Sequence, residues 1–116
     1  MIILIPAYEP DAKLISLLRS IRDAAPSVDV VLVDDGSGAD HASVFATAGD
    51  LGCLVLTHAG NRGKGAALRT GFAWIARHRP GSVVVCADCD GQHTVRDILR
   101  VADATTASIA VGHPSI

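Results

Sequence analysis

Apolar residues in this chain fall into short unbroken runs separated by stretches of helical periodicity. Residues 2–5 are continuously apolar and closed by Pro6, the pattern of a strand buried on both faces of a parallel sheet. Asp11 can cap the helix that follows, in which Leu14, Leu17, Leu18 and Ile21 recur at helical spacing and Lys13, Arg19, Arg22 and Asp23 take the other face. That helix is expected to end before Pro26. A second β-branched run at 28–33 stops at Asp34-Asp35-Gly36-Ser37-Gly38. A weaker helix is predicted over 40–48 and a strand over 53–56. Leu68, Phe72, Ile75 and Ala76 then form an apolar stripe on a helix running to about Arg77, with Pro80-Gly81 as the break. A strand at 82–86 comes next. Thr94 and Asp97 resemble a capping box for a helix with Val95, Ile98, Leu99 and Ala102 inward, and a last strand is expected at 108–111.

Strands alternating with helices imply right-handed βαβ units, hence an α/β fold: a Rossmann-like three-layer sandwich with a mostly parallel sheet. Ligands bind such sheets at the carboxyl ends of the strands, near a topological switch point. Polar loops fall where that rule wants them, at 7–10, 34–38, 59–65 and 88–93.

Composition narrows the picture. A length of 116 residues with 49% hydrophobic content fits one domain, 1–116, with a substantial core. A formal net charge of −2 without a basic tract argues against nucleic acid as a partner. Three cysteines, Cys53, Cys86 and Cys89, are a poor disulfide framework and fit a reducing compartment, so a cytoplasmic location is expected. The apolar start lacks a basic lead-in and falls far short of the roughly 20 residues that span a bilayer. It reads as a strand rather than a signal peptide, and membrane association would have to come from a surface, a partner or other sequence.

The chemistry concentrates in Ala87-Asp88-Cys89-Asp90-Gly91-Gln92-His93. Side chains two apart on an extended segment point the same way, so Asp88 and Asp90 can converge on one hard cation. Taken alone, acidic residues after strands are often turn formers, and Arg62 and Lys64 on a glycine-rich turn can be a solvated surface. Cys86, Cys89 and His93 can be read as a zinc pattern, but a structural site wants a fourth N or S ligand. Gly60-Asn61-Arg62-Gly63-Lys64-Gly65 has neither the dinucleotide-binding glycine order nor the Ser or Thr of a P-loop. Cys53 reads as a core thiol, and His41 and His58 as ordinary surface histidines.

Pro6-Ala7-Tyr8, Val33-Asp34-Asp35-Gly36-Ser37, the run from Asn61 to Phe72, and the Asp88 to His93 motif together resemble glycosyltransferase family 2, of the GT-A fold. The resemblance is greatest to the branch of dolichyl- and polyprenyl-phosphate sugar transferases, and covers nearly the whole chain. It implies that Asp88 and Asp90 are catalytic, holding Mg²⁺ or Mn²⁺ against a nucleotide-sugar diphosphate, with Gln92 beside the metal. It implies that Asp34 and Asp35, after Val33, read the nucleoside, and that Pro6, Ala7 and Tyr8 surround the base. Arg62 and Lys64 would lie near the diphosphate, and Ala87 and Cys89 would flank the metal site.

The implied reaction moves a sugar from a UDP- or GDP-sugar to a lipid-phosphate or glycan acceptor, with inversion. Implied too are association with the cytoplasmic face of a membrane and, from an apolar edge left for a second half, self-association. The chain departs from the family at Glu9-Pro10 and at Gly112-His113-Pro114, and family members usually continue into an acceptor-binding half. A nucleotide-sugar-binding module without catalysis is the alternative expectation. A sugar nucleotidyltransferase lacks support, since Ala7-Tyr8-Glu9-Pro10 replaces its glycine- and arginine-rich loop.

Overall fold

The computed structural model describes residues 1–89; Asp90, Gln92, the helix expected after Thr94 and the strand expected at 108–111 lie outside them. The order is β1 (Ile2–Ala7), α1 (Ala12–Ala24), β2 (Asp29–Asp34), a 3-10 turn (Ala39–His41), α2 (Ala42–Asp50), β3 (Leu54–Thr57), α3 (Lys64–His78) and β4 (Val84–Cys86). All pairings among these strands are parallel, in the spatial order β3-β2-β1-β4. The chain therefore winds outward from β1 in one direction and then crosses back to place β4 on its other side. The switch point lies between β1 and β4, where a parallel α/β sheet opens a crevice.

The period of two along β1 sorts its side chains between two cores. Ile3, Ile5 and Ala7 join Val30 and Leu32 against Leu14, Leu17, Leu18 and Ile21 of α1 and Phe45 and Ala48 of α2. Ile2 and Leu4 join Val31 and Val33 against Ala67 and Ile75 of α3. The first helix follows its sequence pattern closely: the Asp11 carboxylate accepts the Lys13 N–H at 2.9 Å, and the four apolar positions are its buried ones.

Two details differ from the sequence reading. The stripe of α3 is rotated, with Ala66, Ala67, Gly71 and Ile75 buried and Ala76 exposed. Small residues take the contact line because the helix lies very close to the sheet. A Cβ on Gly71 would stand 2.3 Å from the Leu4 Cδ1, so Leu68 and Phe72 pack beside that line.

The second detail concerns Pro6, which does not close β1: the strand runs through it, and Pro6 is in register with Val33. Ile2 donates to the Val83 carbonyl and Leu4 accepts from the Ala87 N–H, so even-numbered residues of β1 face β4. By alternation Pro6 turns its donorless nitrogen the same way, and pairing with β4 stops at Leu4 with Cys86. The proline thus ends the ladder on the side where the crevice opens.

Candidate functional site

Beyond the last paired residues, hydrogen bonds continue across the strand ends and stitch the loops together. Asp35 donates its N–H to the Ala7 carbonyl at 2.8 Å, and His58 donates to the Asp34 carbonyl at 2.8 Å. The Glu9 N–H donates to Ser37 Oγ at 2.8 Å, with Glu9 itself held at φ 47°. A side chain other than Asn, Asp or Gly is uncommon there. Gly36, at φ +75°, is the close-approach point: a Cβ would stand 2.2 Å from the Gly60 carbonyl carbon and 2.4 Å from the Asn61 nitrogen. The β2 and β3 loops touch backbone to backbone.

Asp35 is the centre of this arrangement. Its Oδ1 accepts from His58 Nδ1 at 2.8 Å and from the Arg62 N–H at 2.9 Å. Its Oδ2 accepts from the Gly63 N–H at 2.8 Å and from Asn61 Nδ2 at 3.1 Å. Four donors fill the acceptor capacity of a carboxylate. Burial alone would push the carboxyl up, but the hydrogen bonds from His58, Arg62 and Gly63, together with the His58 charge, hold it below the ordinary carboxylate value. On the far side of the imidazole, Nε2 lies 2.7 Å from the Thr70 hydroxyl of α3. Among the described residues, no buried side-chain nitrogen or oxygen lacks a hydrogen-bond partner.

Asp88 presents a different environment. Its Oδ1 accepts from Lys64 Nζ at 2.8 Å, and the side chain is 36% exposed. This pair closes the gap from the head of α3 to the end of β4. Between the loops lies a cleft of about 510 Å³ lined by Pro6, Ala7, Tyr8, Asp35, Asn61, Gly63, Lys64, Ala67, Asp88 and Cys89. Tyr8 stands at its rim, 49% exposed, and the neighbouring Glu9 charge pushes its phenol above the ordinary value.

Seven of the residues singled out in the sequence therefore share one cleft: Pro6, Ala7, Tyr8, Asp35, Lys64, Asp88 and Cys89. Val33 does not line it, being part of the α3-side core. Asp34 serves its own turn, its Oδ1 accepting the Ser37 N–H at 2.9 Å. Arg62 contributes its backbone N–H to Asp35, while its side chain is exposed outside the lining. Ala87 is buried, extending the β4 ladder through its N–H to Leu4.

Asp90 and Gln92 lie outside the described residues, so Asp88 alone of the expected metal set can be placed. Its carboxylate oxygens are hard donors of the kind that Mg²⁺ or Mn²⁺ takes. Among the described residues no group of three or more His, Cys, Asp or Glu side chains comes together to hold a metal. In the zinc pattern, Cys86 is exposed, Cys89 lines the cleft and His93 lies outside the described residues. Cys53 is a buried thiol, as expected.

His58 requires correction. The sequence suggested an ordinary surface histidine, yet it is 7% exposed and bonded at both ring nitrogens. Its signal was the register: Asp34 pairs with Thr57, so the residues after them, Asp35 and His58, emerge side by side. Asn61, Gly63 and Ala67 also line the cleft without having been singled out as site residues.

Comparison with known proteins agrees with this geometry. The model of Glycosyl transferase family 2 matches residues 2–114. Polyprenol monophosphomannose synthase of Mycolicibacterium smegmatis is 34% identical over 96% of this chain and 43% of its own length. Undecaprenyl-phosphate mannosyltransferase of Micrococcus luteus is 34% identical over 94% of this chain and 46% of its own. The chain thus spans less than half the length of these relatives. Mannosyltransferase PcManGT from Pyrobaculum calidifontis, solved in complex with GDP-Man and Mn²⁺, superposes with a TM-score of 0.61 at 26% identity, over 77% of this chain and 27% of its own. Staphylococcus aureus TarS 1-349 shares the fold, with a TM-score of 0.68 at 19% identity over 91% of this chain and 32% of its own. The parallel sheet, its switch-point cleft and the match along residues 2–114 place the chain in glycosyltransferase family 2, with the GT-A fold.

Proposed function

We propose that residues 1–116 form the donor-binding half of a metal-dependent glycosyltransferase that moves a sugar, mannose in the first instance, from a nucleoside diphosphate to a polyprenyl or dolichyl phosphate. The observation that supports this reading is the Asp88–Lys64 pair lining the cleft at the switch point, a carboxylate and an ammonium 2.8 Å apart. The names of the curated relatives support the lipid-phosphate acceptor, and the GDP-Man and Mn²⁺ held by PcManGT support the donor and the metal.

Asp88, with Asp90 and Gln92, would hold the Mg²⁺ or Mn²⁺. Such an ion neutralises the charge that builds on the departing nucleoside diphosphate. The chain's own residues do the rest of the donor work. Tyr8, on the loop formed with Pro6 and Ala7, offers its exposed face to the base. Lys64 exchanges Asp88 for the diphosphate when the donor enters, a point charge on a flexible stem suited to that exchange. Asp35 contributes at one remove, by fixing the loop from which Lys64 projects. An acceptor phosphate is already anionic, so its attack on the anomeric carbon needs no carboxylate base, and attack opposite the leaving diphosphate inverts that carbon.

No helix among the described residues is long and apolar enough to cross a membrane. A polyprenyl chain is apolar and would be held in a membrane, so the reaction is proposed to take place at a membrane surface, on its cytoplasmic face. Calorimetric titration with GDP-mannose and UDP-sugars, with and without Mn²⁺, tests the reading. Metal-dependent binding of a nucleotide-sugar is expected, and its absence for every donor would overturn the proposal. Donor binding without transfer by the full-length protein would instead mark a binding module.

A further inference from the structure

Asp35, His58 and Thr70 come from three different elements, the end of β2, the end of β3 and the second turn of α3, and form one hydrogen-bonded chain. An ionised carboxylate can only accept, so His58 Nδ1 donates to Asp35, and Nε2 pairs with the Thr70 hydroxyl. Burying a carboxylate and an imidazole, with a half-buried hydroxyl beside them, costs stability that apolar side chains of similar size would not. The fold has no need of them at this point, since α3 is already seated through Ala67, Gly71 and Ile75. What the polar chain adds is direction. It runs from Thr70 through His58 to Asp35, and Asp35 in turn holds the Arg62 and Gly63 N–H groups, the last residues before Lys64 opens α3.

We infer that His58 and Thr70 are positioning residues for the donor: they lock the Asp35 carboxylate in the orientation that fixes the 61–63 loop, and so aim Lys64 and Asn61 into the cleft. The inference rests on the donor-site reading above. Without the latch, Asp35 keeps its burial, but the His58 side chain that shares Oδ1 with the Arg62 N–H is no longer held in place. The two backbone N–H groups are then held less firmly, and Lys64 no longer projects from a fixed base. Neither His58 nor Thr70 lines the cleft, so any effect on the donor must pass through the loop.

The test compares Thr70→Val, which keeps the shape and removes the hydroxyl, with Thr70→Ser, which keeps the hydroxyl. GDP-mannose affinity is measured by calorimetry at saturating Mn²⁺, and hydrogen exchange is followed at the Arg62, Gly63 and Leu32 amides without ligand. Loss of this partly buried hydrogen bond should weaken donor binding about tenfold in Thr70→Val. Exchange at Arg62 and Gly63 should accelerate by a similar factor while the Leu32 amide in the core keeps its protection. Thr70→Ser should stay within about twofold of the wild type in both. Wild-type binding that is unchanged in Thr70→Val, or a Thr70→Ser variant as weak as Thr70→Val, would overturn the latch alone. Equal acceleration at all three amides would show a structural role only and overturn it as well. Failure of the wild type to bind any nucleotide-sugar would overturn the donor-site reading and this inference with it.

Discussion

Asp35 and Asp88 both follow strands of the same parallel sheet and both line the same cleft, yet their surroundings are opposite. Asp35 is 3% exposed and accepts four hydrogen bonds, all from the connection between β3 and α3. Asp88 is 36% exposed at its side chain and is held by a lysine that is itself 64% exposed. A carboxylate whose lone pairs are spent inside the protein organises a site; one paired with a mobile surface cation can change partners. Position after a strand does not separate the two roles, whereas the supply of donors around each carboxylate does.

The largest expected effect that can break this contrast is on stability at the buried member. Asp35→Ala leaves His58, Asn61 and two backbone N–H groups without their acceptor and should cost about 3–5 kcal/mol in chemical denaturation. Gly36→Ala should follow at about 2–3 kcal/mol, since it places a methyl group inside the Gly60-Asn61 backbone at a positive φ. A Gly36→Ala variant as stable as the wild type would mean that the two loops are not in contact. At the open member, Asp88→Ala should change stability by no more than about 0.5 kcal/mol, because an exposed ion pair contributes little, while abolishing metal-dependent donor binding.

Lys64→Met sharpens the comparison further. Removing the cation beside Asp88 should tighten Mn²⁺ binding in the absence of nucleotide by about threefold and weaken donor binding, as read by calorimetry. The smallest effect is in acid. The Asp35 carboxyl is held below its ordinary value of 3.8, so its contribution to stability is fully present above that value and is lost as pH falls through the lower folded value. Denaturation between pH 5 and pH 2 should therefore show a steeper acid loss in the wild type than in Asp35→Asn, which does not titrate.

Much of the frame was legible from pattern alone. Buried strands announce themselves as unbroken apolar runs, and the α1 face follows from Leu14, Leu17, Leu18 and Ile21 at helical spacing. The cleft was legible because a parallel sheet puts its polar loops at one edge, which is where Tyr8, Asp35, Lys64 and Asp88 meet. His58 was not legible, since its partners are 23 and 12 residues away in sequence and only the β2–β3 register brings them together. Nor was the division between Arg62 and Lys64. Both are basic, but the first is used through its backbone and the second through its side chain, a difference set by where α3 begins. Pro6 misled for a related reason. A proline interrupts a ladder only on the side its nitrogen faces, and here the pairing with β4 on that side has already stopped at Leu4.

Asp88 is the proposed cation ligand, and Asp35 the fixed scaffold beside it. Free Mn²⁺ measured by electron paramagnetic resonance in the presence of GDP, for the wild type, Asp88→Ala and Thr70→Ser, tests this most directly. The expected result is that the wild type and Thr70→Ser bind the ion to a similar extent, while Asp88→Ala leaves it in bulk solution. Mn²⁺ held by Asp88→Ala as tightly as by the wild type would contradict the account.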